Sequence, residues 1–252
     1  MPRWYKFVLM YLWVAPHVLL AVVSAMMYLR RLHKSFPLFF TYTLYETAVF
    51  LVLFPLAMIA SSYQPLYGRA FMVTLAGSTV LRFGIIQELF NNMFRDYERL
   101  GTLVRMSLRW LTGLLLAAAV MVGAYSSGTV SDNVMAGLAL LDRSIAIVQA
   151  GLLLSLFGLS RTFGLSWRSL AAGIAVGFGV VASIELAVSA ARTFDVSEYA
   201  AGLLNLFVTG GFHFAVLIWL GYLVAVRSPV ITAIYRVPEM DQWSGELERR
   251  PQ

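Results

Sequence analysis

Residues 7–29 read FVLMYLWVAPHVLLAVVSAMMYL, an uninterrupted stretch with no formal charge. At about 1.5 Å per residue it forms a helix of roughly 34 Å, enough to cross a hydrocarbon layer of ~30 Å. It exceeds the ~7–15 residue core of a secretory signal, and Arg30, Arg31 and Lys34 follow rather than precede it. The stretch is therefore expected to be a retained membrane span.

Six further apolar stretches follow, at about 38–60, 70–94, 106–125, 133–160, 168–190 and 201–226. The fold class is all-α: one transmembrane domain over 1–226, with seven helices and a polar tail over 227–252. Composition agrees along the whole chain. Hydrophobic residues make up 60% of the 252 and charged ones 13%, against roughly 45–50% and about 25% in soluble domains. That leaves no expectation of a separate soluble catalytic domain.

Lys and Arg set the expected orientation. With the N-terminus outside, the inner loops and tail collect Arg30, Arg31, Lys34, Arg95, Arg99, Arg105, Arg109, Arg161, Arg168, Arg227, Arg236, Arg249 and Arg250. Only Arg3, Lys6, Arg69 and Arg192 fall outside, so the positive-inside bias predicts N-out and C-in. The net charge of +6 is explained by this distribution. It forms no basic stripe on a recognised fold, so nucleic acid is not an expected partner. The lipid bilayer is.

Turn chemistry places outer loops at Ser61-Ser62-Tyr63-Gln64-Pro65, at Ser126-Ser127-Gly128 and around Asp195 and Glu198. Trp4, Tyr5, Tyr63, Tyr67, Trp110, Trp167 and Tyr199 sit near span ends and are read as an interfacial belt. Gly173 and Gly177 form a GxxxG pair suited to close helix packing. Gly210-Gly211 is a candidate kink.

Six charged side chains lie inside the apolar stretches: Glu46, Arg82, Glu88, Asp142, Arg143 and Glu185. Charge at membrane depth is costly, so each is retained for pairing, water or function. Counting from span ends groups Glu46 and Glu88 in an inner polar layer, with Asn91 and Asn92 on the same helix. Glu88 then has Asn and Arg partners available within its own helix, and the layer is either a vestibule or an inter-helix lock.

The remaining charges form a central-to-outer layer with Gln149, Asn205 and His213 nearby. Arg82 at mid-membrane demands a carboxylate on another helix; Asp142 is the first choice and Glu185 the second. The set Arg82, Asp142, Arg143, Gln149, Glu185, Asn205 and His213 is the candidate pocket for a ligand or ion, or else a structural network. His17 and His213 lie at comparable depth, which leaves bis-histidine haem b as a minor option. His33 is expected to be solvated.

Several chemistries are excluded. The only lysines are Lys6 and Lys34, so no span carries a lysine for a retinal Schiff base. Two intramembrane histidines do not make a multi-histidine zinc hydrolase site. The chain has no cysteine, which removes thiolate and Cys-ligated metal chemistry. No HExxH, GxSxG or Walker loop occurs, so an enzyme is not expected and no metal is assigned.

Pro16-His17, the run Arg30-Arg31-Leu32-His33-Lys34-Ser35-Phe36-Pro37, Gln87-Glu88-Leu89-Phe90, Leu141-Asp142-Arg143-Ser144 and Phe163-Gly164-Leu165-Ser166-Trp167-Arg168 carry a resemblance. On these segments the chain resembles a group of uncharacterised bacterial seven-helix membrane proteins. The resemblance implies a single seven-helix unit and transfers no residue role; the expected location is a bacterial inner membrane.

The leading functional expectation is a non-enzymatic sensory or ligand-binding module acting through a cytoplasmic signalling partner, or as a homo-oligomer. A small channel or transporter for protons, ions or a small solute is the alternative, and a haem-binding or accessory subunit of a membrane complex the third.

Overall fold

The computed structural model describes residues 3–59, 64–93, 106, 149–151, 153, 154, 157, 158, 169–192 and 197–225. Among them every regular element is helical: α1 (Arg3–Leu29), a 3-10 turn (Leu32–Lys34), α2 (Pro37–Ile59), α3 (Gln64–Met93), α4 (Leu170–Ala191) and α5 (Glu198–Ala225). All five α-helices are long and apolar enough to cross a membrane, compatible with a multi-pass membrane protein. They match the first, second, third, sixth and seventh expected spans. The fourth lies outside the described residues except Met106, the fifth is described only in part from 149, and the tail lies outside them.

Three helices start earlier than expected, at Arg3, Gln64 and Glu198. Gln64 and Pro65 were assigned to a loop, yet α3 begins at Gln64. Pro65 is tolerated there because a first-turn amide has no intrahelical acceptor to lose. Elsewhere local caps explain the starts. Ser169 accepts from the Ala172 amide at 3.2 Å and opens α4. Ser197 accepts from Ala200 at 3.3 Å and opens α5.

The five helices close a ring. α1 packs on α2 and α5, α2 on α3, α3 on α4, and α4 on α5. The α4–α5 seam is the most extensive and the α3–α4 seam the thinnest. Polar side chains such as Ser24, Thr43, Ser78 and Glu88 are buried within it, whereas Trp4, Phe7, Tyr11, Val18, Val22 and Leu29 run exposed down one side of α1. Apolar groups outside and hydrogen-bonded polar groups inside suit a chain surrounded by lipid.

An aromatic hub of Phe39, Tyr42, Phe178 and Trp219 fills the ring, each at most 3% exposed. Ring centroids lie 4.9–6.2 Å apart in edge or tilted contacts, the geometry aromatic quadrupoles favour. Trp219 Nε1 donates to the Ile174 carbonyl at 3.2 Å, which satisfies the one polar atom the indole buries. The GxxxG pair serves this hub: Gly177 lies under the Trp219 indole and Gly173 under the Tyr222 ring. Here the missing side chains admit aromatic rings, while α5 runs unbroken through Gly210-Gly211 with Gly211 against Ile184.

The α1–α2 turn is tied to its neighbours. Arg30 donates to the Leu223 carbonyl in the last turn of α5, where carbonyls lack intrahelical donors and the helix dipole favours a cation. Arg31 then adopts the left-handed region at φ 58 and reverses the chain. His33 is half-buried between Tyr28 and Phe40, a correction to the solvated position expected for it. Tyr5 also departs from its expected belt role: it is buried and donates to the Gly202 carbonyl at 3.3 Å, joining α1 to α5 at the opposite end of the ring.

Candidate functional site

On α3, Thr74, Ser78 and Arg82 recur every four residues and therefore share one face. That face borders a cavity of about 260 Å³ whose walls come from all five helices. α1 supplies Trp13 and His17, α2 Glu46 and Phe50, α4 Glu185, and α5 Thr209 and Phe212.

Arg82 and Glu185 form the ionic pair. The Arg82 Nη1 lies 2.9 Å from Glu185 Oε1 and 3.2 Å from Oε2, so one guanidinium nitrogen serves both carboxylate oxygens. The side chains are 17% and 20% exposed, and both line the cavity. The Arg82 Nε has no hydrogen-bond partner among the described residues. Arg82 thus has the inter-helix carboxylate partner it required, supplied by Glu185, the second choice. Asp142 and Arg143 lie outside the described residues.

Glu46 is placed differently from expectation. It accepts from the Ser78 hydroxyl, one turn from Arg82, and lines the same cavity. It does not share a layer with Glu88, since Ser78 and Glu88 are about 15 Å apart along α3. The cause is the register of α2 against α3. Glu88 reaches the first turn of α2, where its two oxygens accept from the Leu38 and Phe39 amides at 2.9 and 3.0 Å. Those amides have no intrahelical acceptor, so a carboxylate from a neighbouring helix caps α2. Asn92 Nδ2 donates to the Ser35 carbonyl at 3.2 Å in the same register, while Asn91 is half-buried. The intrahelical partners expected for Glu88 are replaced by the backbone of α2.

His17 contributes a polar edge. Its Nδ1 is 2.7 Å from the Trp13 carbonyl; a carbonyl can only accept, so Nδ1 carries a proton, and in the neutral ring Nε2 is then an acceptor. The ring stacks on Phe50 with centroids 4.5 Å apart. His213 does not line this cavity; it meets Tyr11 edge-on at 5.5 Å. Asn205 is exposed and accepts from Arg192 at 3.0 Å. Gln149 is buried outside the cavity wall, its amide nitrogen without a partner among the described residues.

The structure therefore brings together Arg82, Glu185, Glu46 and His17, and leaves Asn205, Gln149 and His213 apart from them. Trp13, Ser78, Thr74 and Thr209 were not singled out from the sequence. The four-residue spacing of Thr74, Ser78 and Arg82 was the available signal. Among the described residues no group of three or more His, Asp or Glu side chains is arranged to hold a metal.

A larger cavity of about 760 Å³ lies between α4 and Ala150, Leu153, Leu154 and Phe157. Among the described residues its walls, including Leu153, Phe157, Val180 and Ile184, carry no ionisable group. Convergent polar groups rather than volume mark a site, so the smaller cavity is the candidate. No family model, curated protein or solved structure matches the chain.

Proposed function

We propose that the chain is a seven-helix integral membrane protein of a bacterial inner membrane, N-terminus outside and C-terminus cytoplasmic. It acts as a non-enzymatic ligand-binding module that reports occupancy to a cytoplasmic partner. One observation carries the reading: a cavity reached by all five described helices, with two carboxylates, a guanidinium and an imidazole in its walls. Each of the five helices contributes at least one residue to the cavity wall. The thinnest seam, α3–α4, is bridged within the cavity by Arg82 and Glu185. A solute that engages either partner changes how that seam is held.

A route to the cytoplasmic side follows from α3, whose far end holds α2 through Glu88. The basic loop residues Arg99, Arg105 and Arg109 and the tail after Arg227 are the proposed docking surface. Channel function is the weaker alternative, because the buried rings of Phe39, Tyr42, Phe178 and Trp219 pack together inside the ring.

A thermal-shift screen of small polar solutes on the purified protein tests the reading, with Thr209→Phe as the filled-cavity control. Solutes that raise the midpoint of the native protein but not of the variant support it. A screen in which none does so removes it. Flux in proteoliposomes that disappears in Glu46→Gln would transfer the cavity to a transporter.

A further inference from the structure

Charge and wall chemistry narrow what the cavity holds, on the reading that it binds a small solute. Arg82 is committed to Glu185, whose two oxygens share its Nη1. That is the one salt bridge among the described residues. Glu46 has the Ser78 hydroxyl as its hydrogen-bonding partner and no cation within ion-pair distance among them. The described wall residues hold two carboxylates against one guanidinium, and the carboxylate without an ion-pair partner among them is Glu46.

An anionic occupant would face Glu46 and Glu185 together. A neutral one would leave Glu46 and Glu185 to share the single Arg82 guanidinium in a setting where an under-compensated charge is costly. A cation removes that cost. His17 adds an acceptor at Nε2 once its Nδ1 proton is engaged by the Trp13 carbonyl. An ammonium group has several N–H donors for such acceptors.

The rest of the wall is apolar and aromatic. Trp13, Phe50 and Phe212 stand around His17, with Phe50 stacked on it and Phe212 at 5.9 Å. Val49, Leu53 and Val208 complete that side. Aromatic faces attract cations and accept apolar groups equally well. The volume of about 260 Å³ corresponds to roughly nine waters at ~30 Å³ each, which sets the scale of the solute.

We propose that the cavity selects a small organic ammonium, with its charged head on Glu46 and His17 and its apolar body against Trp13, Phe50 and Phe212.

Calorimetric titration of the purified full chain in detergent tests this with three probes of similar size: 2-phenylethylammonium, neutral 2-phenylethanol and anionic 3-phenylpropanoate. The ammonium binds about tenfold or more tightly than the alcohol, the gain expected of one charge-assisted contact, and the carboxylate does not bind. Glu46→Gln removes that advantage, bringing the ammonium down to an affinity no greater than that of the alcohol. The probe series on the native chain decides the matter even if the variant does not fold. Equal affinity for ammonium and alcohol, with Thr209→Phe abolishing both, overturns the cation preference and leaves the cavity as a binding site. Absence of binding by all three, or binding that survives Thr209→Phe, overturns both.

Discussion

Arg82 of α3 and Glu185 of α4 meet at 2.9 Å, 103 positions apart in the chain, across the thinnest seam of the helical ring. Apolar packing contributes least where the seam is thin, so the ion pair is placed where it has most influence on how the ring closes. Low dielectric strengthens the attraction, but desolvation of both groups offsets much of it. The pair therefore specifies which helices meet more than it adds net stability. Its place in the cavity wall makes the same contact accessible to a solute.

Breaking the pair from one side should cost far more than removing it from both. Glu185→Leu removes the carboxylate bonded to the buried guanidinium, with an expected loss of about 3–5 kcal/mol. Arg82→Met with Glu185→Leu should recover most of that loss. Reversible unfolding in mixed micelles across the four-member cycle measures the coupling. Additive losses in the double variant would mean that the two side chains act independently.

Glu88 offers a separate test at the other level of α3. Glu88→Ala removes the acceptor for two first-turn amides of α2, and caps of this kind contribute about 0.5–2 kcal/mol. Glu88→Gln keeps one carbonyl acceptor and should lose roughly half as much. Amide hydrogen exchange at Leu38 and Phe39 should accelerate in both, most in the alanine variant. Unchanged protection at those amides would contradict the cap.

The extent of the described spans was legible because helical rise and bilayer thickness leave little choice of length. That Arg82 requires a carboxylate was equally legible, since the cost of an unpaired charge does not depend on fold details. The identity of the partner was not, because span five offered Asp142 at a depth as suitable as that of Glu185. Glu46 was assigned to the wrong layer for a related reason. Counting from span ends assumes that neighbouring helices end level, whereas Glu88 anchors α3 to the first turn of α2 and offsets their register. Tyr5 and Asn205 show the same limit: their partners, Gly202 and Arg192, are determined by tertiary contact.

Glycines in α4 and α5 should separate packing from propensity. A Cβ at Gly177 meets the fully buried indole of Trp219, and one at Gly173 meets the near end of the Tyr222 side chain, neither of which can swing aside. Each alanine substitution should cost about 1–3 kcal/mol as overpacking. Gly221 faces open space and is exposed, so Gly221→Ala should gain up to about 1 kcal/mol from helix propensity. Thermal midpoints of the three variants in one detergent provide the comparison. A destabilised Gly221→Ala would show that this surface is covered.

Arg31 supplies the last test, because its backbone sits at φ 58 and ψ 19. A side chain there costs about 1–2 kcal/mol, which glycine escapes while losing roughly 0.5–1 kcal/mol to its own chain entropy. Arg31→Gly should thus stabilise the fold by about 0.5–1 kcal/mol. Arg31→Ala removes the same charge without that freedom and should show no gain. The neighbouring Arg30 remains on the Leu223 carbonyl in both variants, so the anchoring of α1 to α5 is held constant. Equal unfolding free energies for the two variants would assign any change to the lost charge rather than to the left-handed turn.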